Sequence, residues 1–199
     1  MTKDELEKQL EYLQNEIARH ERQAPTIENI KATSIVYRGK IIDAVSSLDR
    51  LLDIYIATYF CDSLDKVKEF SNIILGANRI SLDGKRKLFD VLIKIQRPEF
   101  GKKVHRSFKK DMNTVMYERN SFAHNLVCTN QDAIDRATTH IGLQKFSANS
   151  RIEWYDEEKI NSILMTIKKC STVIIRMTQS RVVVLRPPHY EPKSDSMGS

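Results

Sequence analysis

Glycine and proline are scarce, six and five in 199 residues. That scarcity argues against a many-turned β-sandwich or barrel and favours long helices. No apolar run approaches the ~18 residues that span a bilayer. The N-terminal Met1-Thr2-Lys3-Asp4-Glu5 is polar and lacks the apolar core of a signal peptide. The three cysteines, Cys61, Cys128 and Cys170, are odd in number and far apart. They fit neither a disulfide framework nor a zinc spacing, and reduced thiols in a cytoplasmic protein are the expectation. The five histidines, at 20, 105, 124, 140 and 189, are scattered. No Gly-rich phosphate loop precedes Gly84-Lys85, and no His-Glu-x-x-His occurs. Neither metal site nor cofactor is expected. Asp43, Asp49 and Asp53, spaced along one helical stretch, read as ordinary exposed positions beside Arg50.

What is present is an apolar content of 41%, a charged content of 29% and a net charge of +6. The first two describe a folded globular chain. The last fits simple solubility and equally an anionic partner such as nucleic acid. Leu6, Leu10, Leu13 and Ile17 recur at spacings of four, three and four, a narrow coiled-coil-like seam on a charged helix over about 3–22. Pro25 is read as its end. A long helix then runs to Phe60, with Ile41, Val45, Leu48, Leu52, Tyr55 and Tyr59 on one stripe. Ser63 and Ser81 fit as N-caps of two shorter helices, and Arg97-Pro98 stops the second. Another long helix spans about Gly101 to Val127. The stretch 128–137 is polar and poorly periodic. Segments 140–146 and 151–155 alternate around Ser147-Ala148-Asn149-Ser150 as a hairpin. Asp156 caps a last helix, and Arg181–Leu185 reads as an edge strand or extended tail. The expected fold is all-α, a helical bundle of about five helices with a small β-hairpin before the last. Residues 1–24 form an N-terminal docking or coiled-coil segment, 25–180 the helical domain, and 181–199 an extended, disordered tail.

The helix over 101–127 carries the chemistry. With Arg119 set at zero and about 100° per residue, Val115, Phe122 and Leu126 lie on one side of it and Met112, Met116, Ala123 and Val127 on the other. Arg119 therefore reads as a charge in the middle of the apolar stripe, where it is costly unless paired. Asn120, His124 and Tyr117 follow on a neighbouring flank, at about 100°, 140° and 160°. Lys102, Arg106, Lys109 and Lys110 share that side, while Asp111 and Glu118 fall opposite. A phosphate backbone could follow such a basic track, although a Lys-rich face is equally the solvated side of any amphipathic helix. An imidazole exchanges protons near neutral pH, and a guanidinium offers a fork that suits a phosphate. Together they meet the minimum for metal-free RNA cleavage through the ribose 2′-hydroxyl. That reaction needs two proton-transfer groups, and the motif supplies one histidine. A homodimer would bring two; Tyr117 or a water is the other source.

Arg119-Asn120-Ser121-Phe122-Ala123-His124 resembles the Arg-polar-x-x-x-His signature of the HEPN superfamily, and the resemblance covers about residues 30–178. It implies a helical bundle that dimerises and builds one site from two motifs. It also implies metal-independent endoribonuclease activity, as in toxin–antitoxin, CRISPR and antiviral (anti-phage) defence systems. Carried over, Arg119 and His124 would be catalytic and Asn120 supporting. Independently of the resemblance, the basic face of Lys102, Arg106, Lys109 and Lys110 with Tyr117 is the expected RNA-binding track. Some HEPN toxins carry a Tyr two residues after the His, where this chain has Leu126. Other members keep the fold as non-catalytic dimerisation or regulatory modules, which is the competing expectation. An antitoxin or other protein partner is a candidate for the N-terminal seam.

Overall fold

A computed structural model describes residues 3–76, 80–96, 102–145 and 151–182. The chain is predominantly helical with one small antiparallel sheet, as expected. In order come α1 (Lys3–Phe60), α2 (Leu64–Phe70), a π-helical turn (Ser71–Leu75), α3 (Leu82–Gln96) and α4 (Lys102–His124). Strand β1 (Leu126–Val127), α5 (Gln131–Asp135), β2 (Ile141–Gln144), β3 (Ile152–Tyr155) and α6 (Glu157–Val182) follow.

Several expectations hold. Ser63 accepts from Lys66 N and caps α2. Ser81 Oγ accepts from Gly84 N (3.2 Å) at the start of α3. Asp156 Oδ1 accepts from Lys159 N (2.7 Å) at the start of α6. The hairpin pairs Ile141 with Tyr155 and Gln144 with Ile152.

Others need correction. No helix end occurs at Pro25, because α1 is continuous for 58 residues. A proline withholds one N–H and crowds one carbonyl, a local cost that helix anchored on both sides outweighs. Ahead of it Arg19 Nη2 donates to Gln131 Oε1 (2.7 Å), and beyond it Ile30 is buried with Cys128 and Ala133. The motif helix stops at His124, not Val127. Leu126 and Val127 instead add a third strand, pairing with Gln144 and Leu143. The stretch after it contains α5, capped by Asn130, whose Oδ1 accepts from Ala133 N (3.1 Å). Arg181 and Val182 belong to α6 rather than to a strand or tail. The rest of the expected tail and the hairpin loop 146–150 lie outside the described residues.

The chain groups into two compact units. One holds the described residues of Met1–Asp43 and Tyr117–Met165, the other those of Ala44–Met116 and Thr166–Ser199. The second unit buries Leu48, Leu52 and Tyr55 of α1 with Phe89 of α3 and Phe108 of α4. The Tyr55 and Phe89 rings meet edge to face at 4.7 Å. Asp49 and Asp53 are not ordinary exposed positions here. Both pair with Lys85 Nζ, at 3.0 and 2.7 Å, and Lys85 is only 3% exposed. A buried ammonium needs such counter-charges.

The first unit is built around the sheet. Successive residues of a strand face opposite sides. One face carries Ile152 and Trp154, packed on the cluster of Ile30, Cys128 and Ala133. The other carries Glu153 and Tyr155, with the Tyr155 ring 4.8 Å from Phe122 of α4. That second face holds the motif end of α4. Among the described residues no helix is long and apolar enough to cross a membrane.

Candidate functional site

The motif occupies the last turns of α4. The final turn closes through Asn125 N to Ser121 O (3.0 Å), and Arg38 Nη2 of α1 donates to the Asn125 carbonyl (2.5 Å). The end of the helix beside His124 is thus fixed by a cation from another element, a favourable pairing for a carbonyl left open by the helix.

Where α4 enters this unit its buried residues are Glu118, Ser121 and Phe122. In the frame with Arg119 at zero these lie at about −100°, −160° and −60°. Arg119 is half-buried beside that arc. The apolar stripe runs along its direction only farther up the helix, where Phe108, Met112 and Val115 are buried. In the last turns the buried arc has moved to Glu118, Ser121 and Phe122. The buried charge is Glu118, 6% exposed. Its Oε2 accepts from the Tyr155 hydroxyl (2.9 Å). Burial pushes the Glu118 carboxyl above its ordinary range, against the lowering effect of that hydrogen bond. Burial and the neighbouring Glu118 push the Tyr155 phenol up as well.

Arg119 Nη1 donates to Asn120 Oδ1 (3.0 Å). Among the described residues no carboxylate pairs with Arg119, and the His124 imidazole, exposed at the helix end, has no hydrogen-bond or ion-pair partner. Around the helix Arg119 and His124 diverge by about 140°. The bond to Asn120 draws the guanidinium toward the side where His124 lies, since residues four apart are neighbours.

Tyr117 lies on that same side, 44% exposed. Its hydroxyl donates to Glu153 Oε2 (3.0 Å) and accepts from Lys145 Nζ (2.7 Å). Lys159 Nζ donates to the other Glu153 oxygen (3.0 Å). Burial raises the Glu153 carboxyl, but hydrogen bonds from Lys159 and Tyr117 outweigh it and hold the group below its usual range. The hydrogen bond to Tyr117 helps keep Lys145 an ammonium.

The basic track is distributed as follows. Arg106, Lys109 and Lys110 are exposed and belong to the second unit. The Lys102 side chain lies outside the described residues. Asp111 is engaged by Lys169 (2.6 Å). Among the described residues no three His, Cys, Asp or Glu groups gather where they could hold a metal ion.

The structure thus adds Glu118, Lys145 and Glu153, which the sequence reading did not single out. One available signal was the alternation of 151–155. It puts Glu153 beside Tyr155 on a single strand face, so one polar side chain had to find partners there. No protein-family model, curated protein or solved structure matches this chain.

Proposed function

We propose that the chain is a metal-independent endoribonuclease, of the kind its motif resembles, acting as a homodimer. The observation that supports it is the Arg119 guanidinium. It is half-buried, held by Asn120 and without a carboxylate partner among the described residues. It stands on the helix that ends in His124, whose imidazole has no partner among the described residues. A cation oriented this way is free to take a phosphate oxygen. In the proposed reaction His124 takes the proton of the ribose 2′-hydroxyl, that oxygen attacks the phosphorus, and Arg119 stabilises the charged phosphorane. The 140° divergence within one helix is the reason for a homodimer. A second chain, laid motif to motif, would set one guanidinium against the other chain's imidazole. Lys102, Arg106, Lys109 and Lys110 would draw the phosphate backbone by charge. A cytoplasmic role as a toxin or anti-phage effector belongs to the same proposal.

A second reading is a non-catalytic dimerisation or regulatory module that binds a protein partner. Its own observation is the exposure of Leu10, Leu13 and Ile17 on α1, each more than half exposed. One experiment separates the two. Wild type, Arg119→Ala and His124→Ala are incubated with a mixed RNA pool in EDTA. The nuclease reading expects 2′,3′-cyclic phosphate ends from wild type and a loss of about a hundredfold or more in each variant. Cleavage that persists in both variants overturns it, and RNA intact throughout favours the module.

A further inference from the structure

The side of α4 that carries the motif extends back to Tyr117. Tyr117, Asn120 and His124 lie within about 60° of one another at spacings of three and four residues, a line about 10 Å long. At one end stands the imidazole. At the other stands a phenol whose oxygen is gripped by an ammonium and whose hydrogen is held by a carboxylate. Lys145 also lies over the Tyr117 ring, 4.5 Å from its centroid. The charged groups on the packed elements are Lys145 after β2, Arg151 and Glu153 at β3, and Lys159 on α6. Glu118, on α4 itself, is turned to Tyr155. One cation, Lys145, and one carboxylate, Glu153, touch the phenol, and Lys159 binds the far Glu153 oxygen. A tyrosine that only closes a surface network needs neither this exposure nor an ammonium at its oxygen. A tyrosine that gives up a proton needs both, because the phenolate must be reached by substrate and stabilised by charge.

We propose that Tyr117, with Lys145 beside it, is the general acid that protonates the leaving oxygen. The inference rests on the endoribonuclease reading, and it assigns the second proton transfer to Tyr117 rather than to a second imidazole. His124 accepts the 2′-hydroxyl proton and the 2′-oxygen forms a bond to phosphorus. The bond from phosphorus to the 5′-oxygen breaks, and that oxygen takes the Tyr117 proton. A 2′,3′-cyclic phosphate and a 5′-hydroxyl result. The phenolate regains a proton from Lys145, which draws one from water, and the imidazolium returns one to water. Glu153 holds the phenol in place until the substrate oxygen takes over its hydrogen bond.

A sulfur leaving group departs without protonation, and that property gives the test. The full-length protein is assayed on a random-sequence RNA pool and on the same pool carrying a 5′-bridging phosphorothiolate. Tyr117→Phe is expected to cut ordinary RNA about a hundredfold more slowly and to cut the thiolate linkage at nearly the wild-type rate. Lys145→Met should show a smaller defect with the same rescue, and Lys145→Arg should restore most of the rate. His124→Ala should be slow on both substrates. A Tyr117→Phe protein that cuts ordinary RNA normally overturns the assignment, as does one equally slow on both linkages. A wild type that cuts neither substrate overturns the nuclease reading itself, and the assignment with it. Thermal melting of Tyr117→Phe checks that the fold is retained.

Discussion

The hydrogen bond from Arg119 to Asn120 orients the guanidinium without neutralising it. A carboxylate at position 120 would form an ion pair and occupy the fork; an amide leaves the positive charge for a ligand. The spacing of apolar residues gave no means of seeing this. It puts Arg119 at the centre of the buried stripe, because it weighs only the apolar residues Met112, Val115, Met116, Phe122, Ala123, Leu126 and Val127. The true arc in the first unit is pulled round by Ser121 and Glu118, two polar residues that periodicity counts as outward. Asp49 and Asp53 elude periodicity in the same way, since their partner Lys85 is 32 or more residues away in sequence. Glu118 also yields a prediction. Its folded-state carboxyl titrates above its ordinary value of 4.5 because burial penalises the anion. Below that value the group is neutral in both states and contributes nothing. As the pH rises through the elevated range the unfolded chain holds fewer protons than the folded one, so stability falls. Against Glu118→Gln, which keeps an acceptor for Tyr155, wild type should lose Tm as the pH is raised from below 4.5 toward neutral. Melting curves at several pH values check this, and a constant difference would mean that Glu118 ionises without penalty.

At the scale of elements the long amphipathic helices, their serine and aspartate caps and the hairpin were legible, because each follows from a periodicity or a cap spacing. What escaped was short or non-local. Strand β1 has two residues and α5 has five, lengths at which no period can be read. The continuity of α1 past Pro25 depends on contacts made on either side of it. The sheet also contains a position whose side chain is dictated by packing. Gly142 sits opposite Trp154, where an added Cβ would come within 2.9 Å of the Trp154 Cζ3, 3.0 Å of the Ile152 Cγ2 and 3.2 Å of the Cys128 Cβ. Gly142→Ala should therefore cost about 1–3 kcal/mol and perturb the fluorescence of Trp154, the sole tryptophan. Gly39 is the control. It lies on an exposed turn of α1 with nothing within 4 Å of an added Cβ, so Gly39→Ala should stabilise by about 0.5–1 kcal/mol. Denaturant titration of both variants checks the pair. Equal effects would mean that Gly142 does not make this close approach.

At the scale of the whole molecule the issue is how many chains make one site. Helix geometry separates Arg119 from His124 by about 140°, and the Asn120 bond closes only part of that angle. If the active species is a homodimer with one chain's Arg119 serving the other's His124, the two motif variants should complement each other. Arg119→Ala and His124→Ala, each inactive alone, are mixed in equal amounts and allowed to exchange subunits. Half of the dimers then pair one variant with the other, and each such dimer holds one intact site of two. The mixture should recover about a quarter of wild-type activity. A site complete within one chain cannot be rebuilt in this way, because no chain carries both residues, and the mixture would stay inactive. Light scattering should accompany the assay, with a mass of about twice 23.1 kDa expected. A dimer that shows no complementation would keep the oligomer but return the whole of the chemistry to a single chain. There Asn120 would have to bring the guanidinium to the imidazole unaided.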